Sequence, residues 1–347
     1  MIYQSPEELH RISQLIFEAV GSPSDIAERV AAALVDANLV GHDSHGVIRI
    51  PQYVNAIRNG EVVPDARPAI VGETGVTVLV DGHWAFGQVS AAYATRLAIA
   101  KAKAEGISMA GIVRCNHIGR LGEYSTMAAD AGVALMVLAS GFGGRGQSAV
   151  PFGGAKKLFG TNPVSFGIPA GDEPGVLVDF ATTAVAAGKI EVARAKKTPL
   201  PPGSIVDKDG NPTTDPEDYY SGGALLPFGG HKGYALSVMV EMLGRVMTGA
   251  DAYAEGSRGG PVYGHSGTLV VAMNPSVFSR PEQYAAEADT TIRRIKAVPA
   301  APGSSGVLVP GQPEAMARAD RTEKGIPVPE DTWEKIHQVA AELGVNI

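Results

Sequence analysis

Two short apolar runs, residues 107–113 and 133–138, flank a stretch of helical periodicity at about 121–131, and this β-α-β rhythm is the strongest constraint on the fold. It demands at least one sheet covered by helices. Further strands are expected at 164–168, 176–180 and 268–272, and helices at 185–196, 234–248 and 281–297. Residues 69–82 alternate around Glu73-Thr74-Gly75 as a hairpin does, and 88–105 reads as a long alanine-rich helix ending near Gly106. With 347 residues and 45% hydrophobic content the chain can bury one large core or two modest ones, so two interlocked domains are expected.

The N-terminus carries two similar helix starts, Ser5-Pro6-Glu7-Glu8 and Ser22-Pro23-Ser24-Asp25, each with a capping hydroxyl, a proline and acid in the first turn. Gly21 and Gly41 end these helices. The second repeats Ile26, Val30, Ala33, Leu34 and Ala37 along one face and delivers the chain to Gly41-His42-Asp43-Ser44-His45-Gly46. A closing amphipathic helix at 331–343 is expected to pack back on this pair. Residues 251–267 read as a glycine-rich surface loop and 298–306 as a linker.

Several function classes fall away. The 29 basic residues are outnumbered by 36 acidic ones, the net charge is -7, and no basic block could track a phosphate backbone, so nucleic acid is not an expected partner. One cysteine, Cys115, cannot form a disulfide within the chain, which suits a reducing, cytoplasmic setting. Glu7, Glu8 and His10 are wrong for a signal peptide, and no run reaches the length of a membrane span, so neither export nor membrane insertion is expected. Gly141-Phe142-Gly143-Gly144-Arg145-Gly146 matches the dinucleotide fingerprint as a string. It is nevertheless rejected, because Pro151, Gly153 and Gly154 follow before the required helix can begin. Lys232 is followed by glycine where a P-loop needs serine or threonine, and the G-x-S-x-G signature of a hydrolase is absent.

Three segments carry residues suited to chemistry. Ser44-His45-Gly46-Val47-Ile48-Arg49 sets a proton-transfer group four residues before a planar cation, although Pro51 disfavours a regular helix there. Arg49 could grip a carboxylate while His45 moves the proton of the adjacent carbinol or carbonyl; a local ion pair and a surface histidine are the plainer alternative. His42 and His45 could instead be half of a metal site completed by Asp43 or His117, but no clear third ligand stands at helical spacing, so no metal is expected. His117 lies at a strand-to-helix junction and is a second candidate acid or base, whereas Cys115 beside it reads as a buried, inert thiol. Finally, Pro227-Phe228-Gly229-Gly230-His231-Lys232-Gly233 runs into an apolar helix, so free amides, a helix dipole and the Lys232 ammonium converge as an anion site; a tight loop with a solvated lysine is the alternative. Pro151-Phe152-Gly153-Gly154-Ala155-Lys156 echoes that pattern.

These segments, with Tyr53, Gly119, Gly122 and Tyr124, Gly160-Thr161-Asn162-Pro163, Asp179-Phe180-Ala181-Thr182-Thr183, Gly188-Lys189, Leu200-Pro201 and Pro310-Gly311-Gln312-Pro313-Glu314, follow one another in an order and spacing that resembles the malate/L-lactate/ureidoglycolate (L-sulfolactate) dehydrogenase family from about residue 5 to 345. The resemblance implies an α/β fold of non-Rossmann type: a mixed-sheet nicotinamide domain at 71–299, and a helical domain built from both termini, 1–70 plus 300–347, that contributes to the substrate site. It implies hydride transfer between NAD or NADP and a small 2-hydroxy or 2-oxo carboxylic acid. His45 or His117 would be the proton donor or acceptor, with Ser44 and Arg49 around the substrate. Thr161, Asn162, Asp179, Phe180, Ala181, Thr182, Thr183, His231, Lys232, Gly311 and Gln312 would line the cofactor. Phe180, Thr183 and Gln312 stand where methionine, serine and glutamate are common, and Gln312 could alter a cofactor contact. A homodimer with the site near the subunit interface is also implied. The competing readings are a metal-dependent hydrolase using His42 and His45, and a non-catalytic carboxylate-binding protein.

Overall fold

The computed structural model describes residues 1–141, 146–253 and 266–347; Phe142 to Arg145 of the rejected fingerprint and most of the loop expected at 251–267 lie outside them. The chain opens with strand β1 (Ile2–Gln4), then helices α1 (Pro6–Ala19), α2 (Ser24–Leu39) and α3 (Ile50–Arg58). The first start behaves as its sequence reads, since Ser5 Oγ accepts from the Glu8 amide at 3.1 Å. The second does not. Its cap is Pro23, without a side-chain bond, and Ser22 is buried instead.

Strands β2 (Ala69–Glu73) and β3 (Thr77–Asp81) form the expected hairpin, followed by α4 (Gly87–Glu105), β4 (Ile107–Val113), α5 (Gly122–Asp130), β5 (Ala134–Ala139), β6 (Val164–Ile168) and β7 (Val176–Phe180). Helix α6 (Ala187–Lys196) leads to a small three-stranded sheet of β8 (Ile205–Val206), β9 (Pro212–Thr213) and β10 (Ala224–Leu225), with α7 (Pro216–Tyr220) between the last two strands. Helix α8 (His231–Glu241) passes into a π-helical turn at Met242–Val246, where a single regular helix was expected. Strand β11 (Thr268–Met273) and α9 (Pro281–Lys296) complete this part.

The main sheet has seven strands in the order β2-β3-β4-β11-β5-β6-β7, and only β3 and β4 are parallel neighbours. The β4-α5-β5 rhythm is real, but its two strands do not touch. Strand β11 lies between them, antiparallel to both, with Val270 opposite Ala110 on one side and Val137 on the other. Helix α4 packs its buried Ala91, Ala94, Ala98 and Ala102 with Val80, Ile112, Val137 and Val270 of the sheet. Small side chains let that helix approach closely.

The C-terminus returns to the N-terminus. Residues 300–306 have no regular structure, after which come α10 (Gln312–Lys324), β12 (Ile326–Val328) and α11 (Glu330–Glu342). Strand β12 pairs antiparallel with β1, and Ile336 and Val339 of α11 share one core with Leu9, Ile16, Phe17, Val30 and Leu34. The closing helix packs as its amphipathic pattern requires. The short strands β1 and β12, and helix α10, carried no comparable periodicity in the sequence.

Candidate active site

Helix α2 ends at Leu39, Gly41 turns the chain away with a φ of 85°, and two single 3-10 turns follow at Asp43–His45 and Val47–Arg49, separated by Gly46 in an extended conformation. His45 and Arg49 are therefore not one regular helical turn apart, as their spacing alone suggests. Asn38 explains the break. Its Oδ1 accepts from the Val47 amide at 2.8 Å and its Nδ2 donates to Asp43 Oδ1 at 2.7 Å, filling the space where a Gly46 Cβ would lie 2.1 Å from Oδ1. From the other side Arg321 of α10 grips both Asp43 oxygens at 2.6 and 3.0 Å, and Glu314 Oε1 stands 3.4 Å from His42 Nε2. Two elements thus hold this loop in one shape.

The loop sets His45 against His117, with ring centroids 5.6 Å apart and planes within 14°. Ser44 Oγ lies 3.1 Å from His45 Nδ1. His117 Nδ1 is 2.7 Å from the Tyr53 hydroxyl of α3, which is 2.8 Å from the Gln88 side-chain amide of α4. Gln88 is buried and its Oε1 has no hydrogen-bond partner. An amide offers a donor at one end and an acceptor at the other, so this chain can run either way. With Gln88 donating, Tyr53 donates to Nδ1 and His117 carries its proton on Nε2. With the amide turned over, Oε1 accepts from Tyr53, Nδ1 donates to Tyr53, and Nε2 becomes an acceptor. The backbone beneath is closely packed: a Cβ on Gly87 would come within 2.3 Å of the Asn116 and His117 carbonyl oxygens.

Arg49 donates through Nε to the Ser44 carbonyl at 2.6 Å and through Nη1 to Gln52 Oε1 at 2.6 Å, leaving its Nη2 edge for a ligand. Its charge reaches both histidines. Burial, then Arg49, then His42 and Arg120 depress the His45 pKa to about 3. Burial, Arg49 and His45 hold His117 well below its usual 6.5. Both rings are neutral at physiological pH. Cys115 is buried and its thiol pushed up to about 12 by desolvation, which removes it as a nucleophile.

The segments assigned to a cofactor are spread along β7, those of Thr161, Thr182 and Phe228 just past its C-terminal end and that of Pro310 and Gly311 at its start beside Leu177. The Thr182 amide and hydroxyl both donate to the Thr161 carbonyl at 2.9 Å, the Phe228 amide donates to the Thr182 carbonyl at 3.0 Å, and the Leu177 amide donates to the Pro310 carbonyl at 3.1 Å beside Gly311. Asp179 Oδ2 accepts from the Gly122 amide at 2.7 Å; burial raises its pKa, opposed by that amide and by the His42 and Arg120 charges. A Gly188 Cβ would lie 3.3 Å from the Ser44 Cβ, so the start of α6 joins this region to the histidine loop.

The side chains divide into two groups. Asn162, Thr182 and Thr183 are buried and bonded to protein: Asn162 accepts from the Gly141 amide and donates to the Ser237 carbonyl and Glu241, and Thr183 donates to the Val185 carbonyl. Gln312 Oε1 accepts from the Val309 amide at 2.7 Å. Phe180, His231 and Lys232 are exposed, and Ala181 and Thr161 are half-buried. The free amides expected where the Pro227–Gly233 segment enters α8 are partly used, since within the first turn Gly233 donates to the Phe228 carbonyl at 3.0 Å and Tyr234 to that of Gly230 at 3.2 Å. The Lys232 ammonium and the helix dipole remain. The Pro151–Lys156 echo of this loop meets it, with the Phe152 and His231 rings 6.2 Å apart. Exposed Phe180 and Phe152, an open Gly229 with no atom within 4 Å of a Cβ, and Lys232 suit a ligand with flat rings and phosphates.

Sequence reasoning missed Asn38, Gln88 and Arg321. Gln88 sits in the first turn of an alanine-rich helix, and nothing in that pattern marks it. Among the described residues no group of three or more His, Cys, Asp or Glu is arranged to hold a metal, and no helix is long and apolar enough to cross a membrane.

The family model for malate/L-lactate dehydrogenase matches residues 4–337. The chain is 38% identical over 345 residues to the L-sulfolactate dehydrogenase of Methanothermobacter thermautotrophicus, covering 99% of this chain and 98% of that one. It is 36% identical over 342 residues to hydroxycarboxylate dehydrogenase B of Escherichia coli, with 98% and 94% covered. The solved structure of sulfolactate dehydrogenase from Methanocaldococcus jannaschii superimposes with a TM-score of 0.90 at 33% identity, covering 99% of this chain and 98% of that one. By sequence over almost its whole length and by fold, this chain belongs to the malate/L-lactate dehydrogenase family.

Proposed function

We infer that the protein is a nicotinamide-dependent dehydrogenase that interconverts a small 2-hydroxy acid and its 2-oxo acid, with Arg49 binding the carboxylate and His117 moving the proton. The observation that carries this reading is one cation beside two stacked, neutral imidazoles, one of them tied into a hydrogen-bond chain. A nicotinamide, when bound, would supply or accept the hydride at C2. The protein does the rest. Arg49 orients the acid through its Nη2 edge, Ser44 and His45 wall the substrate, and His117 Nε2 exchanges the hydroxyl proton while Tyr53 and Gln88 adjust to either tautomer. Arrival of a carboxylate offsets the Arg49 charge and so raises the His117 pKa, which favours the imidazolium needed to donate a proton to a carbonyl.

The reading is tested by supplying reduced NAD and NADP separately with a panel of 2-oxo acids and following loss of the reduced-cofactor absorbance. At least one acid should be turned over; no turnover and no cofactor binding would overturn it. That panel also decides between NAD and NADP.

Lys232 is proposed to hold a cofactor phosphate. Lys232→Ala should weaken cofactor binding about ten- to a hundredfold, the worth of one charge-assisted contact, with little change in substrate KM. Unchanged cofactor affinity in a titration of reduced-nicotinamide fluorescence would remove the assignment.

A homodimer with the site near the subunit interface belongs to the same reading, supported by exposed Met239, Met242, Val246 and Met247 on one helical stretch. Light scattering should give a mass near twice 35.9 kDa, and a monomer mass would contradict it. Residues 1–70 with 300–347 are proposed as the substrate-side unit and 71–299 as the cofactor unit, which the shared core of the two termini supports. A reducing, cytoplasmic location suits the lone buried Cys115.

A further inference from the structure

Helix α4 begins hard against the segment that carries His117. A Cβ on Gly87 would lie 2.3 Å from the Asn116 and His117 carbonyl oxygens, and one on Gly119 would lie 3.4 Å from Gln88 Cγ and Nε2. Gln88 is thereby set behind Tyr53 and is 1% exposed, out of reach of a substrate and of a second copy of the chain. One end of its amide stands 2.8 Å from the Tyr53 hydroxyl, and the other end has no hydrogen-bond partner. The protein around it therefore fixes neither way up. Turning the amide over exchanges a donor for an acceptor at the same place.

The reaction does distinguish the two. Oxidation moves the hydride from C2 to the cofactor and the hydroxyl proton to His117 Nε2, so Nε2 must begin as an acceptor while Nδ1 carries the ring proton. Reduction begins from the imidazolium and ends in that same tautomer. In both directions Nδ1 donates to the Tyr53 oxygen, 2.7 Å away, and the Tyr53 hydroxyl must donate elsewhere. Resting on the role given to His117 above, we propose that Gln88 is a positioning residue that selects this tautomer, turning its carbonyl end to Tyr53 and accepting the hydrogen bond of the phenol. Removing that acceptor shifts the balance towards a phenol that donates to Nδ1. The ring proton then sits on Nε2, and the imidazole no longer serves as a base.

Gln88→Leu and Gln88→Glu separate this role from packing. Both side chains are close to glutamine in size, but leucine offers no acceptor, whereas glutamate offers one whether or not it is ionised. In the full-length protein, supplied with a 2-hydroxy acid and oxidised cofactor, Gln88→Leu should lower kcat by about ten- to a hundredfold and change KM by less than about threefold. Gln88→Glu should keep kcat within about threefold of the unaltered protein. Packing alone predicts the reverse order, because a buried site accepts leucine more readily than an acid, and thermal melting of the two variants should follow that packing order. A near-normal kcat in Gln88→Leu, or an equal or greater loss in Gln88→Glu, would overturn the role of Gln88. His117→Gln in the same assay keeps the two proposals apart. A loss there beside a normal Gln88→Leu removes Gln88 alone, whereas an undiminished kcat in His117→Gln removes His117 as the base and the role of Gln88 with it.

Discussion

His117→Gln is expected to lower kcat for hydroxy-acid oxidation by about 10²–10⁴, the usual worth of a positioned general base. Glutamine keeps polarity and approximate size but cannot take the proton. His45→Gln should cost about tenfold or less, because among the described residues the His45 ring is hydrogen-bonded only to the neighbouring Ser44 hydroxyl, whereas His117 is oriented by Tyr53 and Gln88. The pH profile separates a proton-transfer role from a structural one. Oxidation needs the neutral imidazole, and burial together with Arg49 holds His117 well below 6.5, so the acidic limb of kcat/KM should fall well below that value. Reduction needs the imidazolium, so kcat in that direction should fall as pH rises through the raised pKa of the substrate complex. Both limbs should vanish in His117→Gln. If His45→Gln loses them instead, the two histidines exchange roles, and if neither does, the proton travels by another group.

Arg49→Ala should raise KM for the acid by about ten- to a hundredfold, since a charge-assisted contact to a carboxylate contributes about 1.5–3 kcal/mol. Arg49→Lys should recover only part of this. A lysine keeps the charge but loses the fork that anchors Nε on the Ser44 carbonyl while presenting Nη2 to the substrate. A second consequence ties the two experiments together. Arg49 is one cause of the depressed His117 pKa, so removing its charge should let that pKa rise and carry the acidic limb upward. A KM effect with an unmoved limb would leave Arg49 as a binding residue that does not act on His117. An unchanged KM would remove it from the substrate site.

Much of the architecture was legible because it is local. The Ser5 cap, the Gly41 stop, the hairpin around Glu73-Thr74-Gly75 and the alanine stripe of α4 each depend on residues within a few positions of one another. The motifs around Ser44, His117, Asp179 and Lys232 could be picked out for the same reason. Local reading also marks its own limits. It made Ser22 a second cap where Pro23 stands, saw in Pro51 but not in Gly46 the break between His45 and Arg49, and left free the amides at the start of α8, of which Gly233 and Tyr234 donate to the Phe228 and Gly230 carbonyls.

By itself the sequence determined an α/β chain with a helical cap from its two ends, and the residue types available for hydride-transfer chemistry. Only the tertiary structure decided how they combine. Strand β11 enters between β4 and β5, Tyr53 meets His117 across 64 positions, and Arg321 reaches Asp43 across 278. The neutrality of the two histidines belongs to the same category. It follows from desolvation and from the nearness of Arg49, and a side chain acquires both only when distant segments close around it and replace water with protein.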